Sequence, residues 1–358
     1  MRSGIVNLPL HGGKAPAWLF QRMTQLAREI TRLLVAEFGP EEVLRRLSDP
    51  FWFQAFGCLL GFDWHSSGLT TTVCGALKEG LRGLEGETGV FVAGGKGRVS
   101  RKTPQEIEEH CDRIAAEPAP LVYASRMSAK VDSSALQDAY QLYHHAFFFT
   151  GEGAWCVVQQ GMNLDTHYAR RYHWLGDGVE DFCCEPHQAI CCDARGQAFN
   201  MVASESGGNR AAVAALFREE PTKILTETQK IATLELPERH HITPADLNST
   251  RLHKVLLKTY EKEPQDFEGV LGTAGVGPKT IRALSLMGEL IYGEEPSFRD
   301  PARFSFAHGG KDGHPYPVDC SNYDRSIDFL KKALWAARVG NTEKVKAMKR
   351  LNSFYTSK

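Results

Sequence analysis

A glycine-rich turn near residue 277 constrains the local fold more than any other feature of this sequence. Gly-Val-Gly-Pro-Lys-Thr, residues 275–280, lies between two apolar runs with helix-like character, FEGVL and IRALSLMGELI. The two glycines permit a tight turn, and proline suits the first turn of a helix. The pattern predicts a helix-hairpin-helix; the alternative is a plain connector between two helices.

The second helix of such a hairpin begins with groups that can hold a phosphate. Its first backbone amides have no partner within the helix, and the helix dipole adds partial positive charge at that end. We therefore expect this segment to bind the sugar–phosphate backbone of a nucleic acid without reading bases. DNA is the expected partner, and RNA stays open. The predicted contacts are Gly275, Gly277, Lys279 and Thr280.

Other basic segments agree with a nucleic-acid partner. The formal net charge is only −1, so local patches must hold any anionic partner. One patch follows a predicted strand. A second patch interleaves arginines with aromatic residues, which suits phosphate contacts and base stacking. A third is a repeated HGGK tetrapeptide. The alternative is solvated surface for the first two patches and simple turns for the tetrapeptide. The predicted contacts are Lys96, Arg98, Arg101 and Lys102, then Arg170 and Arg171, then Lys14 and Lys311.

A polar stripe is predicted on a helix that starts at Ser134. Helical spacing places Asp138, Gln141 and His145 on one face. A carboxylate and an imidazole within reach of one point can hold a divalent ion or move a proton. We predict Asp138 and His145 as metal ligands, with Mn²⁺ or Mg²⁺ favoured and Zn²⁺ left open. A buried polar network between two domains is the alternative. The catalytic candidates here are Asp132, Asp138, Gln141, His144 and His145.

The predicted function is a divalent-metal-dependent DNA nuclease that acts in DNA repair or processing. Asp63 and His65, in a polar loop before a threonine-rich helix start, join the catalytic candidates, with a capped turn as the alternative. Lys279 and Asp300 are 21 residues apart, as in helix-hairpin-helix DNA glycosylases, so a glycosylase or lyase stays open. A non-catalytic DNA- or RNA-binding protein is the third possibility.

Two adjacent cysteine pairs, 183–184 and 191–192, flank His187. Neighbouring side chains in a strand point to opposite faces, and zinc sites usually have two or more residues between their cysteines. Packed thiols are therefore favoured over a metal site.

Periodicity predicts an α+β protein in two parts. Residues 1–205 are expected to form a mixed α/β catalytic domain, and residues 206–358 a helical nucleic-acid-binding domain that carries the hairpin. Residues 16–37 have helical spacing, GVFVAGG and WCVVQQGM have the composition of strands, and AICCDARGQAFNMVA suggests a β-hairpin. There is no long apolar stretch and no signal-peptide core, so we expect a cytoplasmic protein with no membrane contact.

Several segments together resemble the domain-of-unknown-function 763 family. They include LPLHGGKAPAWLF, FWFQAFGCLLGFDWHSSGLTTTVCGALKEGL, MSAKVDSSALQDAYQLYHHAFFF, ARRYHWL, GVGPKTIRAL and FAHGGKDGHPYPVD. The resemblance covers nearly the whole chain. It implies a thermophile-enriched family without an established activity, and it assigns no role to the cysteines.

Overall fold

The computed structural model describes residues 15–62, 67–114, 116–192, 195–236, 238–247, 250–303 and 340–356, together with positions 328, 331, 332 and 335. Four helices open the described chain: α1 (Ala17–Phe38), α2 (Pro40–Ser48), α3 (Pro50–Leu60) and α4 (Gly68–Leu81). The apolar stripe of α1 buries Met23, Ile30 and Leu34, as its spacing predicts.

A five-stranded antiparallel sheet follows these helices. Its strands, in spatial order, are β1 (Val90–Lys96), β3 (Gln141–Thr150), β4 (Trp155–Met162), β5 (Ala169–Leu175) and β6 (Ala189–Cys191). Side chains alternate between the two faces. Ala146 and Phe148 belong to the hydrophobic cluster of α1–α4, whereas Phe147 and Phe149 belong to the cluster on the opposite face. Because both faces are covered, β3 is a nearly continuous apolar run.

Helices fill the rest of the described chain. Between β1 and β3 a 3₁₀ helix (Gly97–Lys102) precedes α6 (Thr103–Ile114) and α7 (Pro118–Lys130), and α7 runs into a π-helical turn (Val131–Ala135). A short helix, α5 (Glu85–Thr88), precedes β1. The later helices are α8 (Gly207–Leu216), α9 (Pro221–Ile231), α10 (Pro244–Leu247), α11 (Thr250–Tyr260), α12 (Phe267–Gly272), α13 (Pro278–Tyr292) and α14 (Asn341–Thr356).

One large hydrophobic cluster joins the two predicted parts of the chain. It contains Phe147 and Trp174 from the sheet and Val213, Leu271 and Leu284 from the later helices. A second sheet, β2 (Leu136–Gln137), β7 (Gln197–Asn200) and β8 (Ser297–Arg299), also draws strands from both sides of residue 205. The two parts therefore share a core, and their division into domains stays a prediction.

The α+β class is confirmed, and two local expectations are wrong. The segment from Ser134 is not a helix, because the π-helical turn ends at Ala135 and β3 begins at Gln141. Ala139 between them has φ 68°, in the left-handed region, which no helix continues through. The predicted β-hairpin is absent as well: β6 pairs with β5, whereas β7 pairs with β2 and β8 in the other sheet.

None of the helices in the described chain combines the length and the apolar character that crossing a membrane requires.

Candidate functional site

The predicted hairpin consists of α12 and α13 joined by residues 273–277. Gly275 has φ 100°, and a Cβ there would lie 3.3 Å from Val255, so the turn requires glycine at this position. Gly277 has an extended backbone that any residue can adopt. The helix begins at Pro278 with no side-chain cap, and Ile281 donates the first helical hydrogen bond, to the Gly277 carbonyl. The preceding amides of α13 therefore remain available to a ligand.

Charged residues surround this helix start. Lys279 is 80% exposed and forms an ion pair with Asp246, Nζ to Oδ1 2.6 Å. Lys254 and Lys258 of α11 line a shallow pocket beside Gly275, and both are exposed. The Thr280 side chain is buried, so only its backbone amide can reach a phosphate.

The turn is held against the middle of the chain by hydrogen bonds. Lys130 of α7 donates to the Val276 carbonyl at 2.5 Å. Gln137 of β2 donates to the Pro278 carbonyl at 3.0 Å and accepts from Arg282 at 2.5 Å. The helix start is thereby fixed relative to α7 and to the sheet that α7 covers.

A groove of about 600 Å³ lies between the hairpin and the sheet. We call it the hairpin groove. Its walls come from the 3₁₀ helix and the start of α6, from α7, from the start of β3 and from the turn after α12. Its main lining residues are Ser100, Arg101, Pro104, Tyr123, Ser125, Arg126, Met127, Lys130, Leu142, Tyr143, His144, His145, Gln159, Gly272 and Ala274.

A β-bulge explains why consecutive residues of β3 line one groove. Regular alternation would send only every second side chain to each face. The register between β3 and β4 shifts between Leu142 and His144, which leaves Tyr143 as the extra residue. Bulges bend a strand and re-aim its side chains, often beside functional sites.

A hydrogen-bonded chain of buried side chains crosses the groove wall. Ser125 Oγ lies 2.9 Å from His145 Nε2, and His145 Nδ1 lies 2.9 Å from Gln159 Oε1. Gln159 Nε2 donates to Asp132 Oδ2 at 2.6 Å. Because the Gln159 amide donates to Asp132, its oxygen faces His145, and Nδ1 must carry the proton. Nε2 is then an acceptor for the Ser125 hydroxyl.

Burial controls the protonation of His145. Desolvation lowers its pKa from 6.5, and the hydrogen bond that it donates to Gln159 and the charge of Asp132 oppose that shift only in part. His145 is therefore a neutral imidazole at pH 7. A neutral histidine that is hydrogen-bonded to a serine and oriented by a third group has the arrangement of a nucleophile and its general base.

Asp132 organises this chain. Its Oδ2 accepts from Gln159 and from Trp174 Nε1 at 3.0 Å, and its Oδ1 lies 2.5 Å from His187 Nε2. Asp132 and His145, both predicted site residues, are thus connected through Gln159. A signal for Gln159 exists in the sequence, because two adjacent glutamines in an apolar strand are unusual. His187, noted only between the cysteines, is the other residue that sequence reasoning did not place.

His144 lies in a polar row across the opposite face of the sheet. It pairs with Lys96 on β1 and with Gln160 on β4, which in turn pairs with Arg171 on β5. Directly opposed residues share a face. His144 is 1% exposed, and neither ring nitrogen has a hydrogen-bond partner among the described residues. Burial, helped by the charges of His145 and Lys96, lowers its pKa to about 3, so it too is neutral.

The structure does not support the prediction that Asp138 and His145 bind one metal ion together. The two side chains are not on one helix, and each has its polar atoms bonded to protein. Asp138 Oδ2 accepts from Arg170 at 2.9 Å and from Tyr172 at 2.7 Å, and Oδ1 accepts from the Tyr140 amide at 3.1 Å. Gln141, the third member of the predicted stripe, is exposed at the start of β3.

Arg170 and Arg171 are not surface contacts for phosphate. Arg170 is 1% exposed and binds Asp138 and both oxygens of Asp300. Arg171 is fully buried and donates to His173 and Gln54. Both side chains are buried and bonded to protein, and their contact with nucleic acid stays a prediction.

Lys279 and Asp300, whose spacing matches that of helix-hairpin-helix DNA glycosylases, each bind other residues in the structure. Asp300 is held by Arg170, by the Gly196 amide and by the Ala302 amide. Lys279 is held by Asp246. Each half of the predicted Lys279–Asp300 pair is therefore engaged elsewhere.

The basic segment 96–102 remains open to a ligand. Lys96, Arg98, Arg101 and Lys102 are all exposed. Arg101 lines the hairpin groove, while Lys96 lies over the ring of Tyr143. The remaining predicted site residues, Lys14, Asp63, His65 and Lys311, lie outside the described residues.

The described residues offer little to a divalent ion. The hairpin groove has no carboxylate among its described lining residues, so its donors do not suit Mn²⁺ or Mg²⁺. One cluster elsewhere, Asp181, Cys183 and Glu268, has the composition of a metal site. Burial raises the pKa of the Cys183 thiol, whereas a metal needs the thiolate. Cys183, Cys191 and Cys192 are buried thiols, and Cys184 is half-buried.

A protein-family model described as "Protein of unknown function (DUF763)" matches residues 4–318. No curated protein and no solved structure matches the chain.

Proposed function

We propose that this chain, which belongs to the DUF763 family, is a nucleic-acid-processing enzyme that binds DNA across the hairpin groove and cleaves a phosphodiester there. The observation that carries the proposal is the shared groove. The turn after α12, Arg101 of the basic segment and the Ser125–His145 pair come from distant parts of the sequence, and all of them line this groove.

Positive groups at the start of α13 and in the segment 96–102 support the binding of DNA. On one side, the uncapped amides of α13 and the cations of Lys254, Lys258 and Lys279 suit the DNA backbone. On the other, Arg101 and its basic neighbours are exposed. These contacts are to phosphate, so we expect binding that is strong at low salt and nearly independent of sequence.

Cleavage would use Ser125 as the nucleophile and His145 as its base. As Ser125 Oγ bonds to phosphorus, its proton passes to His145 Nε2. As the bond from phosphorus to the leaving oxygen breaks, that proton passes to the oxygen. Water then attacks the phosphorus of the phosphoseryl–DNA intermediate and gives its proton to His145. The bond from phosphorus to Ser125 Oγ breaks, and His145 passes that proton to Oγ. The Gln159–Asp132 pair holds the tautomer that this step requires.

The experiment is incubation of labelled single-stranded, duplex and branched DNA with the wild type, Ser125→Ala and Ser128→Ala. Ser128 is the matched control, because it is a buried serine on the same helix and its hydroxyl donates to the Ser125 carbonyl. We expect Ser125→Ala to lose cleavage by about a thousandfold or more, as loss of a nucleophile does, while DNA binding stays unchanged. Cleavage by Ser125→Ala at the wild-type rate refutes the mechanism.

The same assay decides whether a metal takes part. Serine–histidine chemistry needs no ion, so we expect cleavage to persist in a chelator. If cleavage is lost with chelator and returns with Mn²⁺ or Mg²⁺, the metal-dependent nuclease predicted from sequence is the better account, with ligands other than Asp138.

A non-catalytic nucleic-acid-binding protein is the second candidate. Burial favours it, since Ser125 is 2% and His145 6% exposed, and a satisfied buried pair can be purely structural. DNA binding without cleavage of any tested substrate would select this function.

A further inference from the structure

A second cavity, of about 150 Å³, shares no lining residue with the hairpin groove. We call it the arginine cavity, because Arg195, Arg299 and Arg303 line it. The rest of its lining comes from the segment before β6, from β6, from β7 and the turn after it, and from the residues that follow β8. A cavity of this size holds a group about as large as benzene.

One nitrogen of the His187 ring is open to this cavity. Nε2 lies 2.5 Å from Asp132 Oδ1, and a carboxylate can only accept, so Nε2 carries the proton of the neutral ring. Nδ1 is then an acceptor. It makes no hydrogen bond within the described chain and is not among the atoms sealed from solvent, and the side chain lines the arginine cavity.

The His187 ring is fixed in this orientation. Its side chain is only 5% exposed. The ring centroid lies 4.5 Å from that of Trp174 and 6.1 Å from that of Tyr172, and both of these side chains are fully buried. A histidine with a purely structural role would use both nitrogens inside the protein. His187 uses one and presents the other to a ligand.

The charges around the cavity leave two cations for that ligand. The three carboxylates of the lining are each bound to protein: Asp300 to Arg170, Glu185 to Arg303, and Glu205 to Ser204 and Ser297. Arg195 and Arg299 are exposed, and neither forms an ion pair with a described residue. Guanidinium groups bind phosphate oxygens in a bidentate manner. Arg195, Arg299 and His187 Nδ1 are therefore the groups that a ligand can use.

This set of groups fits a terminal phosphate better than other ions. A metal ion does not fit, because the acidic groups of this cavity do not converge on one point, whereas Asp181, Cys183 and Glu268 elsewhere in the described chain do. An anion without a proton would meet the lone pair of Nδ1. A terminal phosphate has its second pKa near 6, so close to neutral pH it can supply the proton that Nδ1 requires.

We propose that the arginine cavity binds a terminal phosphate group, with Arg195 and Arg299 on its oxygens and a proton shared between one oxygen and His187 Nδ1. Inorganic phosphate, a small phosphate ester and the end of a nucleic-acid strand all present this chemistry. The site goes beyond the proposed nuclease, because none of its lining residues takes part in the binding or cleavage described for the hairpin groove.

The test is calorimetric titration of the full chain with inorganic phosphate and with glycerol phosphate, at pH 7 and pH 8. We expect saturable binding that is about five- to tenfold weaker at pH 8, because the bound state holds one proton more than the free protein and the dianion. The charged and titratable groups around His187 are Asp132, Tyr172, Glu185, Glu205, Asp300, Arg195, Arg299 and Arg303.

Variants assign the binding to this cavity. Arg195→Ala should weaken it about tenfold or more, the value of a hydrogen bond to a charged group. His187→Gln keeps a donor for Asp132 but cannot take up a proton, so it should bind more weakly and lose the difference between pH 7 and pH 8. Arg218→Ala, at an exposed arginine outside the cavity, is the control and should bind as the wild type does.

A pair of oligonucleotides, with and without a 5′-phosphate, identifies the source of the phosphate. Tighter binding of the phosphorylated strand, by a margin that Arg195→Ala removes, assigns the cavity to strand ends. Binding of the small phosphates without such a margin assigns it to a free phosphate compound.

Two results overturn the inference. One is the absence of saturable binding of every phosphate probe to the wild type. The other is binding that Arg195→Ala leaves unchanged, or that Arg218→Ala weakens equally. Arg195 is exposed, so this comparison holds even if His187→Gln fails to fold. DNA cleavage enters none of these measurements, so a failure of the proposed nuclease is distinguishable from a failure of the phosphate site.

Discussion

At the scale of single residues, burial decides what the two histidines of β3 can do. They are adjacent in sequence, yet within the part of the chain that the structure describes His145 is bonded at both nitrogens and His144 at neither. Both have a lowered pKa, because a charged imidazole would lose its hydration inside the protein. Both histidines are therefore neutral at pH 7, and they differ in the hydrogen bonds that they make. Sequence spacing identified His144 and His145 but not this difference, which depends on Ser125 and Gln159 from other elements.

The lowered pKa of His144 should make the protein less stable in mild acid. The folded-state pKa of about 3 lies below the unfolded value near 6.5, so the unfolded chain binds more protons as pH falls. Stability is then lost progressively below pH 6.5. His144 alone should contribute about 2 kcal/mol of this loss between pH 7 and pH 5. His144→Leu should therefore lose less stability than the wild type over that interval, measured by urea unfolding.

The exposed His253 provides the control for this measurement. His253→Gln should show the same pH dependence as the wild type, because the His253 side chain is exposed on α11 and is not part of the core. If His144→Leu and the wild type lose stability in parallel, His144 is not the neutral buried group described above.

The ion pair between Lys279 and Asp246 offers a second test at this scale. Asp246 competes with any phosphate for Lys279. Lys279 donates a hydrogen bond to Asp246, and this bond is the main reason that the pKa of Asp246 is lowered. Asp246→Asn should release the lysine and raise DNA affinity about two- to fivefold at low salt, the size of a modest exposed charge effect. Fluorescence anisotropy measures it.

Glu227→Gln is the matched control for Asp246→Asn. Glu227 is also an exposed carboxylate paired with a lysine, Lys230, but it lies on α9. The Glu227→Gln change removes the same charge as Asp246→Asn. An equal gain in DNA affinity from both variants would mean that net charge, and not Lys279, is responsible.

At the scale of elements, the sequence predicted the two helices α12 and α13 and misassigned the strand β3. Glycine and proline act locally, so two helices and a turn could be read directly from residues 267–292. The segment around β3 is different. Its polar residues happen to recur at helical spacing, while tertiary pairing with β1 and β4 favours a strand. Likewise, the local sequence suggests that Arg170 lies at the surface, because its partner Asp300 is 130 residues away and no local pattern reveals the contact.

The turn itself makes a prediction about Gly275. Alanine there must adopt φ near 100° and must push Val255 aside. Gly275→Ala should therefore destabilise the fold by about 1–3 kcal/mol and weaken DNA binding by disturbing the start of α13. Thermal unfolding and anisotropy titration give the two readouts.

Gly153→Ala separates strain from function. Gly153 also has a positive φ, 91°, in the turn between β3 and β4, with no atom near its missing Cβ. The Gly153→Ala variant should lose some stability and bind DNA as the wild type does. If Gly275→Ala binds as well as Gly153→Ala, the hairpin turn lies outside the interface.

At the scale of the whole molecule, the groove depends on contacts that no local pattern reveals. Lys130 and Gln137 fix the hairpin against α7 and β2, and the shared hydrophobic cluster holds the later helices on the sheet. The α+β class and most helices followed from periodicity. The groove did not, because it forms where the segments around residues 100, 125, 145 and 273 meet in space.

The most direct test of this account is the salt dependence of DNA affinity. The slope of log K against log salt reports the number of phosphates neutralised, about 0.9 per contact for duplex DNA. The account predicts that Arg101→Ala combined with Lys279→Ala, one cation from each wall, reduces the slope by about 1.8. Lys223→Ala combined with Lys230→Ala, two exposed lysines of α9, removes the same charge and should leave the slope unchanged. Equal slopes for the wild type and the Arg101/Lys279 double variant would contradict it.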